Sequence, residues 1–368
     1  MTFPELTLNI NLAAIVENYK IIEKTIGKNV DIGAIVKANA YGLGANKIVP
    51  LLSKAGCHIF FVATVEEALQ IREVTLSDKI FVLAGIKQGQ ESIFFSENIL
   101  PVLNTIEQIK LWHNFCLRKR RKMGCIIAID SGMNRLGLNY HSGLEFLKNN
   151  YKELAQDMDI SMLLSHFTCS DQPNHPMNQE QYLMMCRLKK ILPSECKISL
   201  ANSSAIFSSK DYHFDVVRPG ISLYGCSASE KNHNLKNVIT ISAQIIQIRE
   251  VEEDGTVGYG ATHHIKKGST LATVAIGYAD GYLRSLTSNM YCYIADIKVP
   301  VVGRVSMDSI VLDVSSVPKK ELHKDTEVEI VNDYFTIDDL ANSSERLSYE
   351  LLIYFGNSLR CKKNYIGG

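Results

Sequence analysis

No apolar run in this 368-residue chain approaches the length a transmembrane helix needs, so no membrane association is expected. Met1-Thr2-Phe3-Pro4-Glu5 lacks the basic start and apolar stretch of a signal peptide, and the expected compartment is the cytoplasm. An excess of either charge is missing: Lys+Arg and Asp+Glu each total 39, which gives no reason to expect nucleic acid. The nine cysteines are odd in number, scattered and free of any C-x-x-C pair. That disfavours a disulfide frame or a zinc site and suits reduced thiols. Ten histidines form no H-x-H or H-E-x-x-H pattern, and adjacent His263 and His264 would point opposite ways on a strand, so no metal is expected. The one basic run, Arg118-Lys119-Arg120-Arg121-Lys122, follows a helix-like segment. Cations there favour the C-terminal dipole, and the run reads as a solvated helix end.

The chain is long enough for two domains or a barrel with an appendage, and its 46 % hydrophobic content supports large cores. From about residue 10 to 234, strand-like and helix-like segments alternate. Leu12, Ile15, Tyr19, Ile22 and Ile26 recur at helical spacing, and apolar strand candidates end near Lys37, Ala63, Ala84, Leu103, Asp130, His166, Asn202 and Val217. Polar segments of helical period, such as 66–73, 105–117 and 179–192, lie between them. Eight strands, each with room for a helix, predict an α/β fold in residues 1–234: a closed (β/α)8, TIM-like barrel. Beyond residue 234 the texture changes. Strand-like stretches at 239–248, 270–276, 291–302, 310–314 and 327–331 have few helices between them, so residues 235–368 read as a C-terminal β-rich domain with one short helix over 348–354.

The run Ile32-Gly33-Ala34-Ile35-Val36 closes with Lys37, followed by Ala38-Asn39-Ala40-Tyr41-Gly42-Leu43-Gly44. A lysine leaving a buried strand at its C-terminal end faces the place where parallel α/β folds build their sites. An ammonium there loses hydration, its pKa falls, and the neutral amine becomes a nucleophile able to form a Schiff base. The other strand exits carry Arg135, His166, Asn202-Ser203 and Arg218-Pro219-Gly220. Each has an ordinary structural use, but their shared rim is where barrels place chemistry.

Val36-Lys37-Ala38-Asn39-Ala40-Tyr41-Gly42-Leu43-Gly44 resembles the pyridoxal-phosphate lysine motif of bacterial alanine racemases. Asp130-Ser131-Gly132-Met133-Asn134-Arg135-Leu136-Gly137, Ser165-His166-Phe167, Ala201-Asn202-Ser203 and the stretch Val217-Arg218-Pro219-Gly220-Ile221-Ser222-Leu223-Tyr224-Gly225 continue the likeness. Gly258-Tyr259-Gly260-Ala261-Thr262, Ile276-Gly277-Tyr278-Ala279-Asp280-Gly281 and Gly303-Arg304-Val305-Ser306-Met307-Asp308 extend it through the second half in family order.

The resemblance implies an isomerase that interconverts L-alanine and D-alanine with pyridoxal 5′-phosphate, supplying D-alanine for peptidoglycan. It implies a homodimer in which the partner's β-rich domain completes each site. Inverting a stereocentre in both directions needs a base on each face of the substrate. By the resemblance these are Lys37, which also links the cofactor, and Tyr259. A tyrosine of ordinary pKa near ~10 is a poor base at neutral pH and needs cationic or hydrogen-bonding neighbours; His166 and Arg218 are expected in that network. Arg218 would donate to the pyridine nitrogen and leave it unprotonated, because a guanidinium keeps its own proton. Tyr41, Asn202, Ser203, Gly220 and Ile221 are expected around the phosphate and cofactor. Arg135 would meet the phenolic oxygen and the substrate, with Met307 and Asp308 around the substrate carboxylate and Tyr278 at the entrance.

Three positions depart from the family pattern. Ala128 stands where many alanine racemases carry a carbamylated lysine, Ser306 replaces a frequent cysteine, and Asn357-Ser358 falls where many relatives have a tyrosine or arginine near the phosphate. Rival readings are a serine or broad-specificity racemase and a pyridoxal-phosphate amino-acid decarboxylase on the same barrel. A cofactor-homeostasis protein would usually lack the second domain.

Overall fold

The apolar runs that end at the predicted exits become strands buried on both faces. In the computed structural model, residues 5–227, 233–286 and 290–368 are described; residues 1–4, part of the amino-terminal stretch read above, lie outside them. The chain opens with β1 (Leu6–Asn11) and a helix over Leu12–Ile26. It continues through β2 (Asp31–Ile35), β3 (Ile59–Val62), β4 (Lys79–Val82), β5 (Ile99–Leu103) and β6 (Met123–Asp130). A two-residue β7 (Leu138–Asn139) pairs beside β6, followed by β8 (Met158–Leu164), β9 (Lys197–Ser199) and β10 (Val216–Val217).

Strands β10-β2-β3-β4-β5-β6-β8-β9 lie side by side in that order, with parallel pairing throughout. A parallel bridge between Asn202 and Arg218, and the hydroxyl of Ser199 donating to the Val216 carbonyl at 2.6 Å, join β9 to β10 and close the ring. Parallel strands covered on both faces must be apolar almost throughout. Phe60, Phe61, Val62, Ile80, Phe81, Val82, Ile126 and Ile127 meet that demand with 1 % exposure or less. Helices over Ala45–Lys54, Val65–Arg72, Glu91–Ser96, Ile106–Lys119, Tyr140–Asp157 and Pro176–Ile191 follow strands from β2 to β8. Thr64 and Thr105 cap two of them by accepting from the amides of Glu67 and Gln108. The basic run sits at the end of the Ile106–Lys119 helix, with Arg120 in the left-handed C-cap, as expected.

The second unit is antiparallel in the main. Its strands are β11 (Ile239–Glu250), β12 (Gly255–Val257), β13 (His263–Ile265), β14 (Thr270–Val274), β15 (Tyr291–Ile294), β16 (Ile297–Val302), β17 (Ile310–Asp313), β18 (Glu327–Val331) and β19 (Cys361–Ile366). The order β14-β17-β16-β15-β18-β11 closes on itself because β11 also pairs with β14. The predicted short helix forms over Ser348–Asn357.

The polypeptide changes unit between Lys236 and Asn237, two residues from the expected boundary. The described residues of Met1–Ala14, together with Tyr41–Gly44, nevertheless belong to the β-rich unit, although sequence reading placed them in the barrel half. The reason is pairing: β1 lies antiparallel to β11 and parallel to β19, with Leu6, Leu8 and Ile10 turned into the β-rich core. Among the described residues, no helix is long and apolar enough to cross a membrane and no disulfide forms.

Candidate active site

Lys37 stands immediately beyond β2, and the chain does something costly there. Ala38, Asn39, Ala40 and Tyr41 all take the left-handed conformation, with φ of 52, 55, 53 and 55°. Left-handed backbone costs a non-glycine residue on the order of 1–2 kcal/mol, so the turn needs outside support. Glu67 supplies much of it: one carboxylate oxygen accepts from the Ala38 amide and the other from the Ala63 amide, each at 2.7 Å. The side chain of Asn39 accepts from the Ala45 amide at 2.8 Å, and Ala40 donates to the Val36 carbonyl at 2.9 Å. Burial holds the Lys37 amine below its ordinary pKa, Arg135 adds to the effect and Glu67 opposes it. That favours the neutral, nucleophilic form.

Arg218, at the exit of β10, is 3 % exposed and ringed by acceptors. Nη1 donates to Ser199 Oγ at 2.5 Å, and Nη2 donates to the carbonyls of Ser165 at 2.5 Å and Leu200 at 3.4 Å and to His166 Nδ1 at 3.2 Å. Burial lowers its pKa to about 9, helped by Arg135, which still leaves it charged at neutral pH. His166 is driven down to about 3, by burial first and then by Arg218, Arg135 and Lys37. Its imidazole is therefore neutral and accepts at Nδ1.

Below these groups runs a polar network that sequence reasoning missed. Gln181, fully buried, donates to Ser131 Oγ and to the His166 carbonyl at 2.9 Å each, and Ser131 Oγ lies 2.7 Å from Ser165 Oγ. It joins the exits of β6 and β8. Glu67 was missed too, although Thr64-x-x-Glu67 matches a capping signature. That pattern predicts a local bond, and nothing in it signals a carboxylate reaching to Ala38.

Ser203 opens the helix Ser203–Ser208, whose cap is Asn202, with its side-chain oxygen accepting from the Ala205 amide at 3.1 Å and from Ser170 Oγ at 2.9 Å. Onto Ser203 Oγ converge the Gly220 amide at 3.0 Å, the Ser222 amide at 3.3 Å and the Ser222 hydroxyl at 3.0 Å. Ile221 sits between those amides, 1 % exposed. Arg135 lies exposed on the loop after β6, where Asp130 accepts from the amides of Gly132 and Met133 at 2.8 Å each. Ala128 is buried within β6. A cavity of about 640 Å³ lies elsewhere, at the strand starts around Lys79, Met158 and Cys196, and collects none of the predicted residues.

The remaining predicted residues belong to the β-rich unit. Tyr41 is buried against Tyr349, their rings 5.6 Å apart, and burial raises its pKa, with Tyr349 adding to the rise. Tyr259 is 67 % exposed on a short turn between Gly258 and Gly260, whose φ values of +74 and +76° suit glycine. A Cβ on Gly260 would come within 3.0 Å of the Arg304 guanidinium. Tyr278 and Met307 are exposed, and the Tyr278 and Ala279 amides donate to the carbonyls of Ser306 at 3.1 Å and Met307 at 3.0 Å. Asp308 is paired with Arg360 at 2.7 Å. Ser358 donates to Asp280 at 3.1 Å.

A lysine and an arginine set among the exits of a closed parallel barrel, with a β-rich second unit, define a two-domain (β/α)8-barrel protein with its polar site at the C-terminal rim. Residues 10–228 match the model of the alanine racemase N-terminal domain, and residues 238–365 match that of the C-terminal domain. Alanine racemase of Brucella abortus is 37 % identical over 376 residues, covering 98 % of this chain and 94 % of that one. The Rickettsia akari alanine racemase is 38 % identical over 361 residues, covering 98 % and 99 %. Among solved structures, alanine racemase from Bartonella henselae with covalently bound pyridoxal phosphate superposes with a TM-score of 0.91 at 36 % identity, covering 98 % of this chain and 99 % of that chain. The biosynthetic alanine racemase of Pseudomonas aeruginosa gives 0.88 at 30 % identity, covering 99 % of each. The chain belongs to the alanine racemase family.

Proposed function

We propose that the protein interconverts L-alanine and D-alanine with pyridoxal 5′-phosphate, supplying D-alanine for peptidoglycan. The observation that carries this reading is the depressed amine of Lys37 at the rim of a closed parallel barrel whose family is alanine racemase. The residues fit the cofactor. Three donors converge on Ser203 Oγ, an oxygen with two lone pairs, so donors are in excess there, and a phosphate would relieve that excess. Ser203 and the Gly220 and Ile221 amides would hold the phosphate, with Asn202 fixing the helix that presents Ser203. The four bonds of Arg218 use its terminal nitrogens and leave Nε for the ring nitrogen. Arg135 would meet the phenolic oxygen, and Lys37 would link the cofactor through Nζ.

When bound, the cofactor supplies the electron sink that makes the Cα proton of the amino acid removable. Lys37 then takes or returns the proton at Nζ on one face, and Tyr259 of the partner subunit does so at Oη on the other. A single base would hand the proton back to the same face. Exposure of Tyr259, Tyr278 and Met307 supports a homodimer in which the partner's β-rich unit brings them to each site. Main-chain groups of Met307, with Asp308, would flank the substrate carboxylate, and Tyr278 would line the entrance. Reduced thiols and the absence of a membrane-crossing helix among the described residues support residence in the cytoplasm.

The test is incubation of the purified protein with L-alanine in deuterated water, followed by chiral separation and by Cα exchange. D-alanine carrying deuterium is expected. Lys37→Ala should abolish both signals, and Tyr259→Phe should slow inversion by about 10²–10⁴-fold. Release of carbon dioxide without D-alanine would overturn the reading in favour of a decarboxylase, and faster turnover of serine would move the substrate.

A further inference from the structure

Four donors converge on the carboxylate of Asp280, which ends the turn Tyr278–Asp280 and is 2 % exposed. Arg360 Nε reaches Oδ1 at 2.9 Å and Nη2 reaches Oδ2 at 2.8 Å, the Ser358 hydroxyl donates to Oδ1 at 3.1 Å, and the Gly277 amide donates to Oδ2 at 3.1 Å. The third nitrogen of Arg360, Nη1, donates to Asp308 Oδ1 at 2.7 Å. One guanidinium thus ties the Tyr278 turn to the Met307–Asp308 loop. An exposed pair such as Arg360–Asp308 holds little by itself. Here the guanidinium is already fixed by two bonds to a buried carboxylate, so little further ordering is needed to hold Asp308. The main chain is tight as well: a Cβ on Gly277 would fall on the carbonyls of Ser306 and Met307.

Arg360 also answers a problem of charge. A bare aspartate beside the carboxylate of an amino acid repels it, and a bound guanidinium cancels that repulsion. We infer that Arg360 is a positioning residue, held by Asp280, that orients and neutralises Asp308 and fixes the Met307 main chain where the substrate carboxylate docks. The inference rests on the roles given to Met307 and Asp308 above. It differs from them in naming the group that sets their geometry.

Arg360→Lys keeps a positive charge for buried Asp280, but an ammonium lacks the fork that serves two carboxylates at once. The measurement is kcat and KM for L-alanine with the cofactor-loaded enzyme, beside the absorption spectrum of the bound cofactor and the thermal midpoint. The expected result is a KM raised about tenfold, with kcat within about threefold and an unchanged cofactor spectrum. In an Asp308→Asn background, Arg360→Lys should move KM by less than about twofold, because the two residues act as one unit. An unchanged KM, full additivity with Asp308→Asn, or a fall in kcat with a disturbed spectrum would each overturn the inference. Wild-type turnover tests the proposed function separately. If the wild type racemises alanine, that reading stands whatever Arg360→Lys does, and if it does not, both fall.

Discussion

A guanidinium has no lone pair, so the 3.2 Å contact between Arg218 Nη2 and His166 Nδ1 makes sense only with the imidazole accepting. This is the residue-scale logic of the site: Arg218, Arg135 and Lys37 surround a histidine that must stay neutral. Unfolded, His166 titrates near ~6.5; folded, burial and those cations bring it to about 3. Between these values the unfolded chain binds a proton that the folded chain refuses. Stability therefore falls as pH drops from about 6.5 towards 3, by up to about 1.4 kcal/mol per pH unit for this group. Urea unfolding of the wild type and of His166→Gln at pH 7 and pH 4.5 measures it. The variant should lose less stability on acidification, and an identical loss would refute the assignment. Lys37, His166 and Arg218 stand out in the sequence because each lies at the end of an apolar run, His166 one residue beyond it. Gln181, Glu67 and Arg360 do not. Their partners are main-chain groups, a hydroxyl and carboxylates, most of them far along the chain, and no local spacing encodes those.

At the scale of elements, the left-handed turn after Lys37 shows what local preference can and cannot announce. Gly42 and Asn39 tolerate positive φ, but Ala38, Ala40 and Tyr41 prefer other regions, so the turn was invisible before the Glu67, Asn39 and Val36 bonds were seen. The eight barrel strands were readable down to two-residue β10, because burial on both faces imposes continuous apolar runs. β1 and β19 were not recognised. The alternation of β1 runs straight into an amphipathic helix, and β19 carries two lysines and an asparagine in six residues. The segment after the turn is seated by glycine against glycine. Gly42, at φ +84°, approaches Gly356 on the Ser348–Asn357 helix so closely that a Cβ on Gly356 would stand 2.5 Å from the Gly42 carbonyl oxygen. Neither backbone can yield as a flexible side chain would. Gly356→Ala should destabilise by roughly 1–3 kcal/mol, read as a lowered thermal midpoint, and an unchanged midpoint would show that the contact is slack.

For the whole molecule, the question is why Tyr259, Tyr278 and Met307 are left in solvent on the β-rich unit while Lys37, His166 and Arg218 are set into the barrel. Exposure of these three side chains is what one half of a two-fold interface would show. The homodimer proposed above makes a sharp claim, since a two-fold partner that lends Tyr259 gives each site one residue from each chain. Lys37→Ala alone and Tyr259→Phe alone should both be nearly inactive. A dimer of one chain of each kind would pair an intact Lys37 with an intact Tyr259 in one site and combine both lesions in the other. Each mixed dimer has one working site of two, so isolated mixed dimers should recover to about half of wild-type activity for a two-fold dimer. Co-expressing the two variants under different affinity tags, isolating the doubly tagged species and assaying L-alanine racemisation measures this recovery. Doubly tagged dimers as inactive as either parent would mean that Lys37 and Tyr259 come from the same chain, and the two-chain site would have to be abandoned.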